Sequence, residues 1–265
     1  MTKVPQHFEA WQPATRVIMP SIRSSEVRIV AISGSQGSGK STLADILVGE
    51  LRRAGVPSAA VSLDDFYLTR SARSELAQRV HPLLATRGVP GTHEIAWLQD
   101  TLRGVRDGKQ EIVVPRFDKG ADDRRGEEVL SVDVLVIEGW CLGVLPEPSE
   151  RLLEPMNTLE RDEDADGTWR RYVNDAIAQR YAPTWPLIDL WVHLRVPSFE
   201  QVLAWRTKQE QALPPARRMS APALERFVSH YERCTRWLWA SPPVEPGYVV
   251  ELASDHQVAG VRPLG

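Results

Sequence analysis

The chain has 265 residues, of which 42% are hydrophobic and 25% are charged, and this near-average composition excludes a disordered or fibrous protein. The formal net charge is -3 and no long basic run occurs, which excludes the general phosphate attraction on which nucleic-acid binding depends. The two cysteines, Cys141 and Cys234, lack the spacing of a zinc site or a disulfide framework.

The N-terminal segment does not have the pattern of a targeting sequence. Residues 1–20 contain Pro5, His7 and Glu9 where a signal peptide needs an uninterrupted apolar stretch. No apolar run approaches the ~20 residues that cross a bilayer. We therefore expect a cytoplasmic protein with no membrane or nucleic-acid partner, and the sequence leaves its oligomeric state open.

The first predicted elements are a strand, a helix and a second strand. Residues 27–32 form a short β-branched run, residues 40–53 have the apolar spacing of a helix, and residues 58–63 form a second apolar strand. Two carboxylates, Asp64 and Asp65, follow directly. A strand, helix and strand with a Gly-rich first turn predict a parallel sheet with its site at the carboxyl ends of the strands.

The middle of the chain alternates helices with turns. Residues 74–84 and 95–105 are predicted helices, separated by the turn-rich residues 87–93. A strand is expected over residues 111–114. The highly charged residues 118–128 predict an exposed loop or mobile flap.

Later elements extend the same pattern. Residues 132–137 form an apolar strand without alternation, which predicts burial on both faces, and Glu138 follows it. Residues 147–167 are acidic and contain prolines, so we expect a connecting excursion. The remaining predictions are strands at residues 188–194 and 248–252 and helices at residues 168–181, 199–213 and 223–239.

These elements predict an α/β protein with a mostly parallel central sheet flanked by helices in three layers, plus a helical lid. One domain over residues 1–265 accounts for the length. Within it we expect an N-terminal extension at residues 1–26 and a lid region at residues 195–218.

A complete phosphate-binding motif lies between the first strand and the first helix. The segment from Gly34 to Ser41 matches G-x-x-x-x-G-K-[ST], the P-loop, in the strand and helix context that this motif needs. Its backbone N–H groups and the helix amino end surround phosphate oxygens, while the lysine reaches the terminal phosphates and the serine ligates magnesium. The predicted nucleotide ligands are Gly34, Ser35, Gln36, Gly37, Ser38, Gly39, Lys40, Ser41 and Thr42.

Motors, GTPases and kinases share the P-loop, so the other strand ends must discriminate among them. Glu138 stands where P-loop proteins place a carboxylate for magnesium, although it could instead cap a turn. Asp64 can orient and deprotonate an acceptor hydroxyl. Such Asp pairs also serve as helix caps, and Asp65 could simply be solvated.

Several further segments resemble the D-glycerate 3-kinase family, within the uridine kinase and phosphoribulokinase group, and the similarity spans roughly residues 28–256. The segments that carry it, besides the P-loop, are Ser62-Leu-Asp-Asp-Phe-Tyr67, Arg87-Gly-Val-Pro-Gly-Thr-His93, Pro115-Arg-Phe-Asp-Lys-Gly120, Glu138-Gly-Trp-Cys141, Trp169-Arg-Arg-Tyr-Val-Asn174 and Trp205-Arg-Thr-Lys-Gln-Glu210.

The resemblance implies a kinase that transfers the γ-phosphoryl group of ATP to the 3-hydroxyl of glycerate. It implies catalytic roles for Asp64, Lys40 and the lid residue Arg206, and Mg²⁺ held by Ser41, Glu138 and Asp64. The implied acceptor ligands are Asp65, Tyr67, Arg87, His93, Lys119 and Arg124.

The residue types of the implied acceptor ligands are also consistent with glycerate. Glycerate needs a cation for its carboxylate, and Arg87, Lys119 and Arg124 are candidates, although each alone could be a surface charge. His93 could be a turn residue bonded to the backbone. Arg206 could form an exposed i,i+4 pair with Glu210.

Two alternatives stay open. The acceptor could be a nucleoside, pantothenate, a sugar or a sugar phosphate, or the chain could bind or hydrolyse ATP without being a kinase. For the adenine base we expect contacts just after Leu252, where Ser254, Asp255 and His256 follow the last predicted strand.

Overall fold

The computed structural model describes residues 8–24, 26–215, 218–242 and 246–264. Six strands of these ranges form one sheet, in which the strand nearest the C-terminus is antiparallel to its neighbour and the others are parallel. Across the sheet they lie in the order β2 (Ser58–Ser62), β5 (Val134–Gly139), β1 (Ile29–Gly34), β6 (Leu190–Arg195), β7 (Gly247–Leu252) and β8 (Val258–Pro263).

Helices cover both faces of this sheet. Alternate residues of β1 point to different cores: Ile29 and Ala31 to one, Val30 and Ile32 to the other. Burying a side chain of this size contributes about 1.5–3 kcal/mol relative to exposure, which explains the continuous apolar runs in the central strands. The helices are α1 (Phe8–Ile22), α2 (Lys40–Arg53), α3 (Arg70–Arg79), α4 (Ile95–Arg106), α5 (Thr158–Glu163), α6 (Thr168–Ala176), α7 (Phe199–Gln211) and α8 (Ala221–Ala240).

This arrangement confirms the predicted three-layer α/β fold with a mostly parallel sheet. No helix in the described ranges has the length and apolar character of a bilayer-crossing segment. Of the predicted extension, residues 1–7 and 25 lie outside the described residues, and so do residues 216–217 of the predicted lid.

The predicted loop at residues 118–128 is wrong for most of its length. The chain forms an antiparallel hairpin of β3 (Ile112–Asp118) and β4 (Asp123–Leu130). The high charge of this segment suggested a loop, but several of its charged side chains have partners on the other strand or on neighbouring elements. Arg116 Nε, for example, donates to Glu128 Oε2 at 2.8 Å, and such cross-strand pairs stabilise an exposed hairpin.

The N-terminal extension contains a helix that the sequence analysis did not predict. α1 includes Pro13 and Pro20, residues that argue against a helix interior. Its buried residues Trp11, Ala14 and Ile18 nevertheless lie three or four positions apart, the spacing of one helical face. Packing on the sheet-facing core therefore outweighs the unfavourable prolines.

A buried ionic network ties α8 to the excursion at residues 147–167. Arg233 donates through Nη1 to Glu147 Oε2 at 2.9 Å, through Nε to Glu160 Oε1 at 2.7 Å and through Nη2 to Glu160 Oε2 at 2.6 Å. All three side chains are buried. The ionised side chains are therefore stabilised by one another rather than by hydration.

Replacing Arg233 by Leu should lower the free energy of unfolding by about 3–5 kcal/mol, because two buried carboxylates would lose their counter-charge. Urea denaturation measures this loss. The matched control is Arg236→Leu, which breaks a more exposed pair with Glu232 and should cost less than about 1 kcal/mol. Equal losses in the two variants would contradict the assignment.

Candidate active site

The P-loop forms the turn between β1 and α2. Gly37 and Gly39 have φ values of 78° and 88°, a left-handed conformation that glycine adopts without strain. A Cβ at Gly39 would lie 2.6 Å from the Trp11 ring, so the indole of α1 closes one side of the loop. The amino end of α2 adds unpaired N–H groups and partial positive charge, which is how such loops bind phosphate.

Lys40 is the cation of this loop. Its Nζ donates to the carbonyl of Ser35 at 2.9 Å, so the side chain folds back over the turn. Burial lowers the pKa of Lys40, while the carboxylates of Glu138 and Asp64 oppose that shift. A phosphate group beside Nζ would favour the charged form further.

The predicted nucleotide ligands divide into two groups. Two cavities border the P-loop, and Gly34, Ser35 and Ser38 line neither of them. The hydroxyls of Ser35 and Ser38 are buried and have no hydrogen-bond partner among the described residues. The residues that do line these cavities are Gln36, Gly37, Gly39, Lys40, Ser41 and Thr42.

The strand order brings Glu138 beside the P-loop. β5 neighbours β1, and Glu138 is opposite Ile32 in the parallel register. Ser41 Oγ donates to Glu138 Oε1 at 3.1 Å. A hydroxyl and a carboxylate are oxygen ligands of the kind that Mg²⁺ prefers, with phosphates and water completing its shell. In the described part of the chain, no group of three or more His, Cys, Asp or Glu side chains is arranged to hold a metal ion by itself.

Asp64 lies in a 3-10 turn, Leu63–Phe66, that directly follows β2. The hydroxyl of Ser62 accepts from Asp64 N at 3.2 Å and so caps this turn. Because Ser62 is paired with Glu138 in the sheet, the Asp64 carboxylate projects toward the same edge as Glu138.

Both oxygens of the Asp64 carboxylate have partners. Tyr67 donates its hydroxyl to Oδ1 at 2.8 Å, and Lys119 Nζ lies 2.6 Å from Oδ2. Burial raises the pKa of Asp64, but Lys119 and Tyr67 outweigh burial and leave the pKa below its ordinary value. The carboxylate is therefore ionised at neutral pH.

Two cavities meet at the P-loop. The first has a volume of about 370 Å³ and is lined by Lys40, Ser41, Asp64, Tyr67, Arg87, Lys119, Glu138, Trp140, Arg206, Phe227 and Tyr231, among others. The second has a volume of about 510 Å³ and lies between α1 and the turn at residues 255–257. Gly37, Lys40 and Ser41 border both, so one elongated ligand can extend from the second cavity into the first.

Arg87 is a cation in the wall of the first cavity. It forms an ion pair with Asp122, which also pairs with Arg73 at 2.9 Å. Arg73 is completely buried, and both guanidinium groups lie 5.7 Å from the Phe117 ring centroid. The hairpin turn therefore holds Arg87 beside the cavity.

The predicted lid residue Arg206 also lines this cavity. It forms the i,i+4 pair with Glu210, at 2.9 Å, and its guanidinium lies 5.8 Å from the Phe227 ring centroid. Trp205 stacks on His256, whose Nε2 lies 2.9 Å from the Gly37 carbonyl. α7 thus contacts both the P-loop and the turn that follows β7.

Three predicted acceptor ligands do not line either cavity. Asp65 instead pairs with Arg116 at 2.7 Å and accepts from Ser62 N, which fixes β3 to the end of β2. Arg124 donates to the Tyr67 carbonyl at 3.2 Å and lies over the Trp97 ring. These side chains position the site from outside it.

The third of these residues is His93. It is buried, stacks on Tyr67 and bonds through Nδ1 to the Tyr181 hydroxyl at 2.6 Å. Burial lowers the pKa of His93 to about 3, so the ring is neutral near pH 7. His93 therefore supports Tyr67 rather than facing an acceptor.

Sequence reasoning missed four aromatic residues of the two cavities: Trp11, Trp140, Phe227 and Tyr231. Phe227 and Tyr231 are one helical turn apart on α8, a spacing that marks a shared face. The spacing does not show that this face borders the P-loop. Trp140 lies in the segment Glu138-Gly-Trp-Cys141, but the sequence alone does not show that its ring faces a cavity.

A model of the phosphoribulokinase / uridine kinase family matches residues 29–201. The chain belongs to this family. Members of the phosphoribulokinase / uridine kinase family are kinases, and the chain is accordingly an ATP-dependent kinase of small molecules.

Individual relatives agree with this assignment. The uncharacterized kinase mug58 of Schizosaccharomyces pombe is 35% identical over 219 residues, 77% of this chain and 78% of that protein. The chloroplastic D-glycerate 3-kinase of Arabidopsis thaliana is 30% identical over 226 residues, 77% of this chain and 46% of that protein. The structure of D-glycerate 3-kinase from Cryptococcus neoformans var. grubii superimposes with a TM-score of 0.79 at 25% identity, covering 97% of this chain and 99% of the other.

Replacing Gly39 by Ala should weaken nucleotide binding roughly tenfold or more, because left-handed strain of about 1–3 kcal/mol adds to the clash with Trp11. Isothermal titration calorimetry with a non-hydrolysable ATP analogue measures the affinity. Gly55→Ala is the matched control, since Gly55 has a φ of 82° and nothing within 4 Å of the added Cβ. Wild-type affinity in Gly39→Ala would show that the loop does not hold the phosphates.

Proposed function

We propose that this kinase transfers the γ-phosphoryl group of ATP to a hydroxyl of D-glycerate. The observation that carries the proposal is the first cavity, which brings Lys40 and Asp64 together with the cations Arg87 and Lys119. A site for the triphosphate, a carboxylate base for the acceptor hydroxyl and cations for the acceptor carboxylate are what this reaction needs. The similarity to the D-glycerate 3-kinases of Arabidopsis thaliana and Cryptococcus neoformans supports the same acceptor.

In the proposed reaction, positioning and charge do most of the work. The P-loop amides and Lys40 hold the β- and γ-phosphates. Asp64 accepts the proton of the acceptor hydroxyl, whose oxygen attacks the γ-phosphorus in line. Arg206 lines the same cavity and neutralises the negative charge that develops on the transferred phosphoryl group.

Ser41 and Glu138 would hold Mg²⁺, and Asp64 lies at the same strand edge. This ion, when bound, supplies charge neutralisation for the phosphates. The fit rests on the oxygen ligands at the P-loop and on the 3.1 Å contact between Ser41 and Glu138.

The second cavity suits the nucleoside part of ATP. It runs from the P-loop along Trp11 to Asp255, His256 and Gln257, the region just after Leu252 where the sequence suggested base contacts. An indole and a turn rich in polar groups offer an apolar surface and hydrogen-bond partners for an adenine.

A nucleoside acceptor is the second candidate, because Tyr67, Trp140, Phe227 and Tyr231 line the first cavity. These rings already contact other side chains, however: Tyr67 stacks on His93, and Trp140 packs edge-to-face with Tyr231. They therefore offer less free surface for stacking a base than their number suggests.

A panel of acceptors tests the proposal through coupled ADP release. D-Glycerate should give a kcat/KM at least about 100-fold above that of glycerol, since two charge-assisted contacts of about 1.5–3 kcal/mol each are lost without the carboxylate. Uridine, pantothenate and a sugar phosphate complete the panel. A higher kcat/KM with any of these would replace glycerate as the acceptor.

Asp64→Asn should reduce kcat by about 10²–10⁴-fold with little change in the affinity for ATP, because the amide cannot take the hydroxyl proton. Stopped-flow or steady-state ADP release gives kcat, and calorimetry gives the affinity. The control is Asp133→Asn, an exposed position before β5 that should behave as wild type. Unchanged turnover in Asp64→Asn would remove Asp64 from this role.

A further inference from the structure

The hairpin turn between β3 and β4 places a cation directly on the carboxylate proposed to activate the acceptor. Lys119 Nζ lies 2.6 Å from Asp64 Oδ2, while the Tyr67 hydroxyl occupies Oδ1. An acceptor hydroxyl that is to pass its proton to Oδ2 therefore competes with Lys119 for that oxygen. We propose that Lys119 blocks the Asp64 carboxylate until an acceptor binds. When the negatively charged group of the acceptor binds Lys119 and Arg87, Lys119 leaves Asp64.

The two partners of Asp64 differ in how easily they can leave. Tyr67 is buried and stacked on His93, so its hydroxyl is fixed. The Lys119 side chain is 61% exposed, and an ion pair with one solvated partner costs little to break. Lys119 is therefore the partner that moves.

The turn that carries Lys119 is itself ordered. The Asp118 carboxylate accepts from Gly120 N at 2.7 Å and from Ala121 N at 3.1 Å. Because the backbone is held in this way, the Lys119 side chain can turn from Asp64 to an acceptor anion without unfolding the hairpin.

Arg87 supplies the second contact for such an anion. It lines the same cavity and is paired with Asp122. Asp122 keeps its bonds to the buried Arg73, so it retains a counter-charge when Arg87 turns to the acceptor. A carboxylate between Lys119 and Arg87 then satisfies both cations, whereas a neutral polyol leaves Lys119 paired with Asp64 and Arg87 paired with Asp122.

The inference rests on the proposed function and adds selection for an anionic acceptor. In productive transfer the acceptor oxygen bonds to the γ-phosphorus, the bond from phosphorus to the β–γ bridging oxygen breaks, its electron pair leaves with ADP, and the hydroxyl proton passes to Asp64. With water in place of the acceptor, the same steps give ADP and inorganic phosphate. Lys119 on Oδ2 suppresses this hydrolysis until an anion displaces it.

The test compares wild type with Lys119→Met, Lys119→Arg and Lys109→Met, the last being an exposed lysine before β3. Phosphate release without acceptor should rise up to about fivefold in Lys119→Met, because an ion pair worth up to about 1 kcal/mol then no longer covers Oδ2. The preference for D-glycerate over glycerol should fall about tenfold in the same variant. Lys119→Arg should restore most of both properties, and Lys109→Met should match wild type. Thermal unfolding of each variant establishes that it is folded.

The readouts separate this inference from the proposed acceptor. If wild type does not phosphorylate glycerate while Lys119→Met still releases more phosphate than wild type, the blocking role of Lys119 is supported and the proposed acceptor is wrong. If wild type phosphorylates glycerate but ATP hydrolysis without acceptor is unchanged or lower in a folded Lys119→Met, the blocking role of Lys119 is refuted and the proposed acceptor is supported. Equal gains in Lys119→Met and Lys109→Met would also refute that role.

Discussion

The site depends on one constraint of the sheet, the adjacency of β2, β5 and β1. Their parallel register places Ser62 opposite Glu138, and Glu138 opposite Ile32. Three segments distant in sequence therefore deliver the P-loop, the Glu138 carboxylate and the Asp64 turn to one edge. Parallel strands aligned in this way place their carboxyl ends, and the loops that follow them, side by side.

Charge is distributed unevenly around that edge. Lys40, Arg87, Lys119 and Arg206 face the first cavity together with Asp64 and Glu138. The cations exceed the carboxylates there although the whole chain carries a net charge of -3. Such a local excess attracts polyanions such as nucleoside triphosphates.

The sequence predicted the parts of the fold that local patterns determine. The P-loop, the apolar central strands and the acids that follow them have signatures within a few residues. The aromatic wall from Phe227 and Tyr231 and the contact of Trp11 with Gly39 depend on how distant helices pack, and helical spacing alone does not show which neighbour a face meets. The hairpin was missed because its charges suggested a solvated loop, whereas several of them pair with side chains that are distant in sequence.

Arg233 and the cavity-lining Tyr231 lie on the same helix, α8. Two residues before Arg233, Tyr231 lines the first cavity and donates its hydroxyl to the carbonyl of Arg87 at 3.1 Å. The ionic network on one side of the helix thus anchors an aromatic wall on the other. The packing of this cavity wall is therefore linked to buried ion pairs whose side chains do not line the cavity.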